Sequence, residues 1–140
     1  RMIFNPEESI DFHGFTGSFV QYTYARIQSI LRKVGGVEQS GISSQQSETH
    51  KLLPLERQLI IFLEKYTTTL SEAAEEMNPS VIANYVFNLA RLFNSFYVDH
   101  SVANAETEEK KILRLRISVM TAHIIKNGLG LLGIKVPKRM

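Results

Sequence analysis

The residues nearest to a catalytic combination are a serine, an aspartate and a histidine close to the N-terminus. Ser9, Asp11 and His13 supply the residue types of a hydrolase triad within five positions. Side chains so close in sequence rarely converge, because triads are assembled from distant segments of a chain. We therefore interpret this stretch as a polar turn and predict no catalytic residue in the chain.

Metal and phosphate-loop chemistry is not indicated by the sequence either. The four histidines are scattered, and no HExxH motif, Cys/His cluster or phosphate-binding loop is present. Gly128, Gly130 and Gly133 follow a predicted helix, so we expect them to terminate it. The chain has no cysteine, which fits a reducing cytoplasm. We predict no metal or cofactor bound within these residues.

Binding of unpaired RNA is better supported by residue types. Tyr22, Arg26 and Lys33 fall roughly on one helical line and combine a ring with two cations. Tyr97 stands near Asn94 by helical spacing at the end of an apolar helix. Unpaired bases stack on exposed rings and hydrogen-bond to amides. The alternative for each tyrosine is a half-buried core residue with its hydroxyl in water.

The basic residues are concentrated in the C-terminal part of the chain. From Arg91 onward the sequence has nine basic residues and four acidic ones. Such an excess favours contact with a polyanion through charge attraction and counterion release. By charge alone we predict phosphate contacts for Lys110, Lys111 and Arg114. The alternative is a solvated, lysine-rich helix face.

The elements that must position these residues are all helical. Apolar spacing predicts five helices and no strand, which indicates an all-α, antiparallel helix bundle of one domain. Broad apolar character predicts that the last helix is the central one. The first predicted helix spans about 16–34, and the second starts at Pro54. A third, short helix follows an interruption at Thr67–Thr69. The fourth runs from Asn78 to about Tyr97, and the fifth starts near Thr107.

The remaining segments carry weaker signals. Residues 1–15 are predicted to form a junction segment, and residues 35–50, rich in Gly, Ser and Gln, to form a flexible loop. Arg1 before Met2 suggests that the chain was excised from a longer one. No apolar run is long enough to cross a bilayer, and no signal peptide is present.

Four blocks of the sequence resemble the C-terminal domain of arginyl-tRNA synthetases. Gly14 to Lys33 matches the segment by which that family enters its helical domain, and Leu53 to Arg57 matches the start of its next helix. The family's Y-x-x-x-L-A-x-x-F-N-x-x-Y helix matches the stretch from Tyr85 to Tyr97. The end of the chain, Lys126 to Met140, is similar to its NG-x-x-LLG ending with a last Arg-Met pair.

The resemblance implies the anticodon-binding, or DALR, domain of an arginine–tRNA ligase over residues 16–140. The sequence differs from the family pattern at Ser18, where many relatives have proline, and at Val20, where leucine is usual. Neither change is expected to disturb the fold. In this family a separate catalytic domain uses ATP, with magnesium, to join arginine to its tRNA, and its ATP-site signatures are not found here.

The implied site residues follow from the same blocks. Tyr97 and Met140 are expected to cradle an anticodon base, and Asn94 to orient that pocket or to tie two helices together. Tyr22 and Arg26 are expected near the junction with the catalytic domain, where they would pack on it or touch tRNA. The expected partners are an arginine tRNA and the catalytic domain, with no DNA and no membrane. The alternative function is a helical protein-interaction module without RNA binding.

Overall fold

The computed structural model describes residues 16–34 and 51–140, which form a helical bundle. The described residues contain five helices and no strand, so the predicted all-α class is confirmed. Among the described residues, no helix combines the length and the apolar character that a membrane span needs. The helices are α1 (Gly17–Lys33), α2 (Pro54–Glu64), α3 (Tyr66–Glu75), α4 (Pro79–Asp99) and α5 (Glu108–Leu131).

The helix starts follow the local signals in the sequence. The hydroxyl of Thr16 accepts a hydrogen bond from the Phe19 N–H at the start of α1, at 3.3 Å. Asn78 caps α4 by accepting from the Ser80 N–H at 3.1 Å, and Thr107 caps α5 in the same way. Both α2 and α4 begin with a proline, whose fixed φ suits the first helical position. These predicted starts are confirmed. They can be predicted from the sequence because capping depends only on nearby residues.

The break between α2 and α3 lies earlier than predicted. Lys65 alone separates the two helices, whereas Thr67–Thr69 lie inside α3. The predicted interruption at the threonines was therefore wrong. The Thr69 hydroxyl donates to the Lys65 carbonyl at 2.9 Å, which accommodates a threonine within a helix. If α2 and α3 are counted as one interrupted helix, the described part of the chain has four helices.

The centre of the bundle is α4, which contacts each of the other four described helices. Leu89, Phe93 and Phe96 on α4 are fully buried. The predicted centre was α5, but Ile112 and Met120 on that helix are 44% and 53% exposed. Its apolar residues cover too much of its circumference for all of them to face the other helices.

The end of α5 also differs from the prediction. Gly128 and Gly130 lie inside the helix, so neither terminates it. Gly133 takes that role: its φ is +76°, a conformation that glycine adopts without strain. The Ile134 N–H donates to the Leu129 carbonyl at 2.8 Å, which completes a Schellman-type end. The chain after Gly133 then turns back along α1.

This C-terminal tail, residues 134–140, is fixed to α1 by two hydrogen bonds. The Gln21 side chain donates to the Lys135 carbonyl at 2.8 Å, and Arg32 donates to the Lys138 carbonyl at 3.1 Å. These contacts bring Met140 to the side of α1. The predictions for residues 1–15 and 35–50 lie outside the described residues.

Candidate functional site

A groove of about 710 Å³ lies between α1, the end of α4, the α4–α5 loop and the C-terminal tail. Its volume falls within the range of roughly 300–1,000 Å³ that is typical of ligand sites. The groove contains five of the residues that the sequence analysis selected for RNA binding, namely Tyr22, Arg26, Lys33, Tyr97 and Met140. The lining residues are Tyr22, Ala25, Arg26, Ser29, Ile30, Arg32, Lys33, Tyr97, Ser101, Val102, Ala103, Asn104, Arg139 and Met140.

Two aromatic rings and one guanidinium form the floor of this groove. The Arg26 guanidinium lies 4.9 Å from the centre of the Tyr22 ring and 5.3 Å from that of Tyr97. Both rings are well exposed, at 40% and 36% of their surface. Cation–π contacts of this kind hold the rings in place while leaving part of each face open. The arrangement offers stacking surfaces next to a fixed positive charge.

Asn94 fixes this arrangement from below. Its amide oxygen accepts from Arg26 at 2.5 Å, and its amide nitrogen donates to the Thr23 hydroxyl and the Ala90 carbonyl, at 2.8 and 3.0 Å. The Thr23 hydroxyl in turn donates to the Phe19 carbonyl on α1. The oxygen and both donors of the Asn94 amide are thus engaged within the protein. Asn94 thus joins α1 to α4 and holds the Arg26 guanidinium, while its part in an anticodon pocket stays a prediction.

The groove is strongly basic. Four cationic side chains line it, and no acidic side chain occurs among its described lining residues. Lys33 and Arg139 form no ion pair with any residue in the described ranges. Met140 lies beside them and is 59% exposed. Such a surface attracts phosphates and presents a soft apolar side chain next to the rings. The lining cations are Arg26, Arg32, Lys33 and Arg139.

The structure corrects the predicted phosphate contact at Arg114. This side chain is only 1% exposed and forms ion pairs with Glu56 at 3.0 Å and Glu106 at 2.9 Å. It also donates to the Ser101 carbonyl at 2.8 Å. A buried guanidinium with these partners cannot reach a phosphate. The sequence could not show this, because both carboxylates come from other parts of the chain.

The neighbouring lysines do not line the groove either. Lys110 is largely buried and donates to Glu56 at 2.6 Å, so its predicted phosphate contact is also corrected. Lys111 is partly exposed and lies 3.6 Å from Glu108, and its phosphate contact stays a prediction. Burial raises the pKa of Glu56, but hydrogen bonds from Lys110, the Leu53 N–H and Arg114 outweigh it, so the pKa lies below its ordinary value.

Sequence reasoning missed one wall of the groove. The α4–α5 loop contributes the residues from Ser101 to Asn104, which no motif had marked. Arg32 and Arg139 were also not selected as site residues, although both are basic and both lie in blocks that resemble the family. Arg32 on α1 donates to the Lys138 carbonyl, and Arg139 follows in the same tail, so the place of both in the groove depends on how the tail packs against α1. In the described ranges, no group of acidic or histidine side chains could hold a metal ion.

The family of the chain is decided by comparison with known protein families. The model of the DALR anticodon binding domain matches residues 20–140. The chain belongs to the DALR anticodon-binding domain family. The matched residues include every helix of the described bundle except the first three residues of α1, together with the whole C-terminal tail.

Relatives of this DALR domain are arginine–tRNA ligases. It is 45% identical to that of Bacteroides thetaiotaomicron over 100% of this chain and 23% of the relative, and 47% identical to that of Flavobacterium psychrophilum over 99% and 22%. The solved arginyl-tRNA synthetase of Thermus thermophilus matches 98% of this chain and 23% of its own, with a TM-score of 0.81 and 33% identity. The chain therefore spans under a quarter of the length of these relatives.

Proposed function

We propose that this DALR domain binds the anticodon arm of an arginine tRNA as part of an arginine–tRNA ligase. The observation that carries the proposal is the basic groove, in which Tyr22 and Tyr97 flank Arg26 without an acidic neighbour among the described lining residues. Support also comes from the similarity to arginine–tRNA ligases, which covers the whole chain. Unpaired anticodon bases present the stacking faces and phosphates that such a groove complements.

The residues of the groove have separate roles in this proposal. Tyr97 and Met140 contact a base, and Tyr22 offers a second stacking surface. Arg26 supplies a fixed donor and a positive charge, while Asn94 acts only by holding Arg26 in place. Lys33 and Arg139 contact phosphates. Stacking contributes roughly 1–3 kcal/mol per base, so the rings should account for much of the affinity.

The chemistry of the whole ligase belongs to a part of the protein outside these residues. A separate catalytic domain would use ATP and magnesium to join arginine to the tRNA in the cytoplasm. The DALR domain would contribute binding and orientation of the tRNA and no catalytic group. Residues 1–15 would form the connection between the two domains, and residues 16–140 the DALR domain itself.

A titration of the chain against an arginine tRNA tests the proposal. An unrelated tRNA and a DNA duplex of similar length serve as controls, at two salt concentrations. Tighter, salt-sensitive binding of the arginine tRNA is expected. Absence of binding to any RNA would contradict the proposal and favour a protein-interaction module. Equal binding of both tRNAs would reduce the role of the groove to holding phosphates.

A further inference from the structure

The α4–α5 loop is held in place from the inside of the molecule. Arg114 donates to the Ser101 carbonyl at 2.8 Å and to both carboxylate oxygens of Glu106, at 2.9 and 3.3 Å. Between these two points, Val102 is only 2% exposed and belongs to the core. The loop is therefore fixed on both sides of the exposed residues Ala103 and Asn104.

The guanidinium that holds the loop is itself anchored. Arg114 donates from Nε to Glu56 Oε1 at 3.0 Å, and Lys110 donates to Glu56 Oε2 at 2.6 Å. Glu56 is fully buried and also accepts the Leu53 N–H at 2.9 Å. The loop is thus connected through one charged cluster to α2 and α5. A loop with such support keeps its position when the groove is empty.

Asn104 is presented to the groove by this loop. Its backbone N–H donates to the Ser101 hydroxyl at 3.0 Å, which fixes the orientation of the residue. Its side-chain amide makes no hydrogen bond with the described residues. It is the one side-chain amide among the described lining residues of the groove, since Asn94 lies beneath the groove with its amide fully engaged.

The chemistry of an amide differs from that of the cations around it. Guanidinium and ammonium groups only donate hydrogen bonds, so they attract phosphates and any base edge with an acceptor. An amide both donates and accepts, and can match the paired donor and acceptor on a base edge. The Asn104 amide can therefore match a base edge that presents a donor beside an acceptor, which the guanidinium and ammonium groups of the groove cannot do.

We propose that Asn104 reads the edge of one unpaired base of the bound RNA, and that Glu106, bound to Arg114, is the positioning residue that holds the loop for it. This inference rests on the proposed RNA binding and names the part of the groove that makes it selective. The rings and cations supply affinity. The α4–α5 loop supplies discrimination.

The test compares binding of the chain to an arginine tRNA and to copies of that tRNA in which each anticodon-loop base is replaced in turn. Asn104→Ala should lower discrimination at one loop position by about tenfold, the effect of losing one good amide–base contact. The salt dependence should not change, because no phosphate contact is removed. Asn84→Ala, which removes an exposed asparagine of α4 outside the groove, is the matched control.

A second pair of variants tests the positioning role. Glu106→Gln should reduce discrimination at the same loop position, and combining it with Asn104→Ala should add little, since both act on one contact. Glu75→Gln removes an equal charge on α3, away from the groove, and should have no effect. Thermal unfolding of each variant confirms that the domain remains folded.

The outcomes separate this inference from the proposed function. Retained binding with unchanged discrimination in Asn104→Ala would overturn the reading role of Asn104 alone. An effect of Asn104→Ala without one of Glu106→Gln would overturn the positioning role. Absence of RNA binding by the unaltered chain would overturn the proposed function, and this inference with it.

Discussion

Arg26 and Asn94 have different roles at the floor of the groove. Asn94 uses both ends of its amide inside the protein, and one of its bonds orients the Arg26 guanidinium. Arg26 then lies within 5.3 Å of the ring centres of both Tyr22 and Tyr97. A part-buried amide that holds a cation in this way stiffens the site before any ligand arrives, which lowers the entropy cost of binding.

Stacking on Tyr97 gives the first prediction. Tyr97→Ala should weaken binding of an arginine tRNA by roughly 1–3 kcal/mol, because a base loses its stacking surface. Tyr97→Phe keeps the ring and should bind nearly as tightly. Met140→Ala should weaken binding as well, by a smaller amount. Equilibrium titration of the three variants checks this, and equal affinity of Tyr97→Ala and the unaltered chain would exclude an anticodon pocket at Tyr97.

The buried carboxylate of Glu56 gives a prediction about acid stability. Its pKa in the folded protein lies below the ordinary value of 4.5, so its contribution to stability is present above that pH and is lost as the pH falls through the lowered pKa. Glu56→Gln should destabilise the domain by about 3–5 kcal/mol at neutral pH, because Arg114 stays buried without its partner. The difference between the two proteins should shrink below pH 4.5.

Urea unfolding at neutral and acidic pH measures this effect. Glu106→Gln is the comparison variant, because the pKa of Glu106 is also lowered, mainly by its own backbone N–H and by Arg114. That carboxylate is largely exposed, so its effect should be much smaller. A difference between the Glu56→Gln variant and the unaltered chain that is independent of pH would contradict the assignment.

At the scale of elements, two helix ends show how a turn directs the chain. Gly133 occupies the left-handed position after α5 with φ +76°, and Met77 occupies the equivalent position after α3 with φ +49°. At both ends the next residue donates back into the helix: Ile134 to Leu129, and Asn78 to Ala73. The first turn sends the tail along α1 and so completes the groove. The second joins α3 to α4.

The glycines inside α5 form a matched pair for a packing test. A Cβ on Gly128 would lie 2.5 Å from Cγ1 of Val86, a stiff and buried side chain, whereas a Cβ on Gly130 would meet nothing within 4 Å. Gly128→Ala should therefore destabilise the domain by about 1–3 kcal/mol. Gly130→Ala should stabilise it by up to roughly 0.5–1 kcal/mol, since alanine is the better helix former.

Thermal and urea unfolding of the two alanine variants measure these changes in stability. A stabilising Gly128→Ala would mean that α4 and α5 approach each other less closely than the structure indicates. The close approach also explains why glycine stands at this position within a helix. It lets α5 pack against the buried face of α4, close to where Tyr66 bonds to Asn127.

At the scale of the whole molecule, the basic residues form two populations with different roles. Arg114 and Lys110 form ion pairs with the buried Glu56, while Arg32, Lys33 and Arg139 line the groove. The net charge is only +2, so the total says little about RNA binding. The local concentration of cations in the groove is what creates an attractive field for phosphates.

This division predicts different effects for two lysine variants. Lys33→Ala should weaken binding of all tRNAs evenly and reduce the slope of log affinity against log salt by about 0.7, the value for one single-stranded phosphate contact. Lys110→Ala should leave that slope unchanged and lower the unfolding free energy instead. Affinity measured over a series of salt concentrations, with unfolding curves for both variants, distinguishes them. A reduced slope for Lys110→Ala would restore its predicted phosphate contact.

The sequence by itself determined the capped helix starts and the residue types of the site. The caps at Thr16, Asn78 and Thr107 act on backbone groups two or three residues away, so they can be read without knowing the fold. Tyr22 and Arg26 could be paired in the same way, because they lie one helical turn apart.

Only the tertiary structure decided which charges remain available and where the groove closes. Arg26 and Arg114 have the same chemistry and both lie on helices, yet one lines the groove and the other is 1% exposed. The difference arises because Glu56, 58 residues from Arg114, packs against it. The groove likewise depends on Gln21 binding Lys135 across 114 residues. Contacts at such separations depend on how the helices pack, which local sequence signals do not encode.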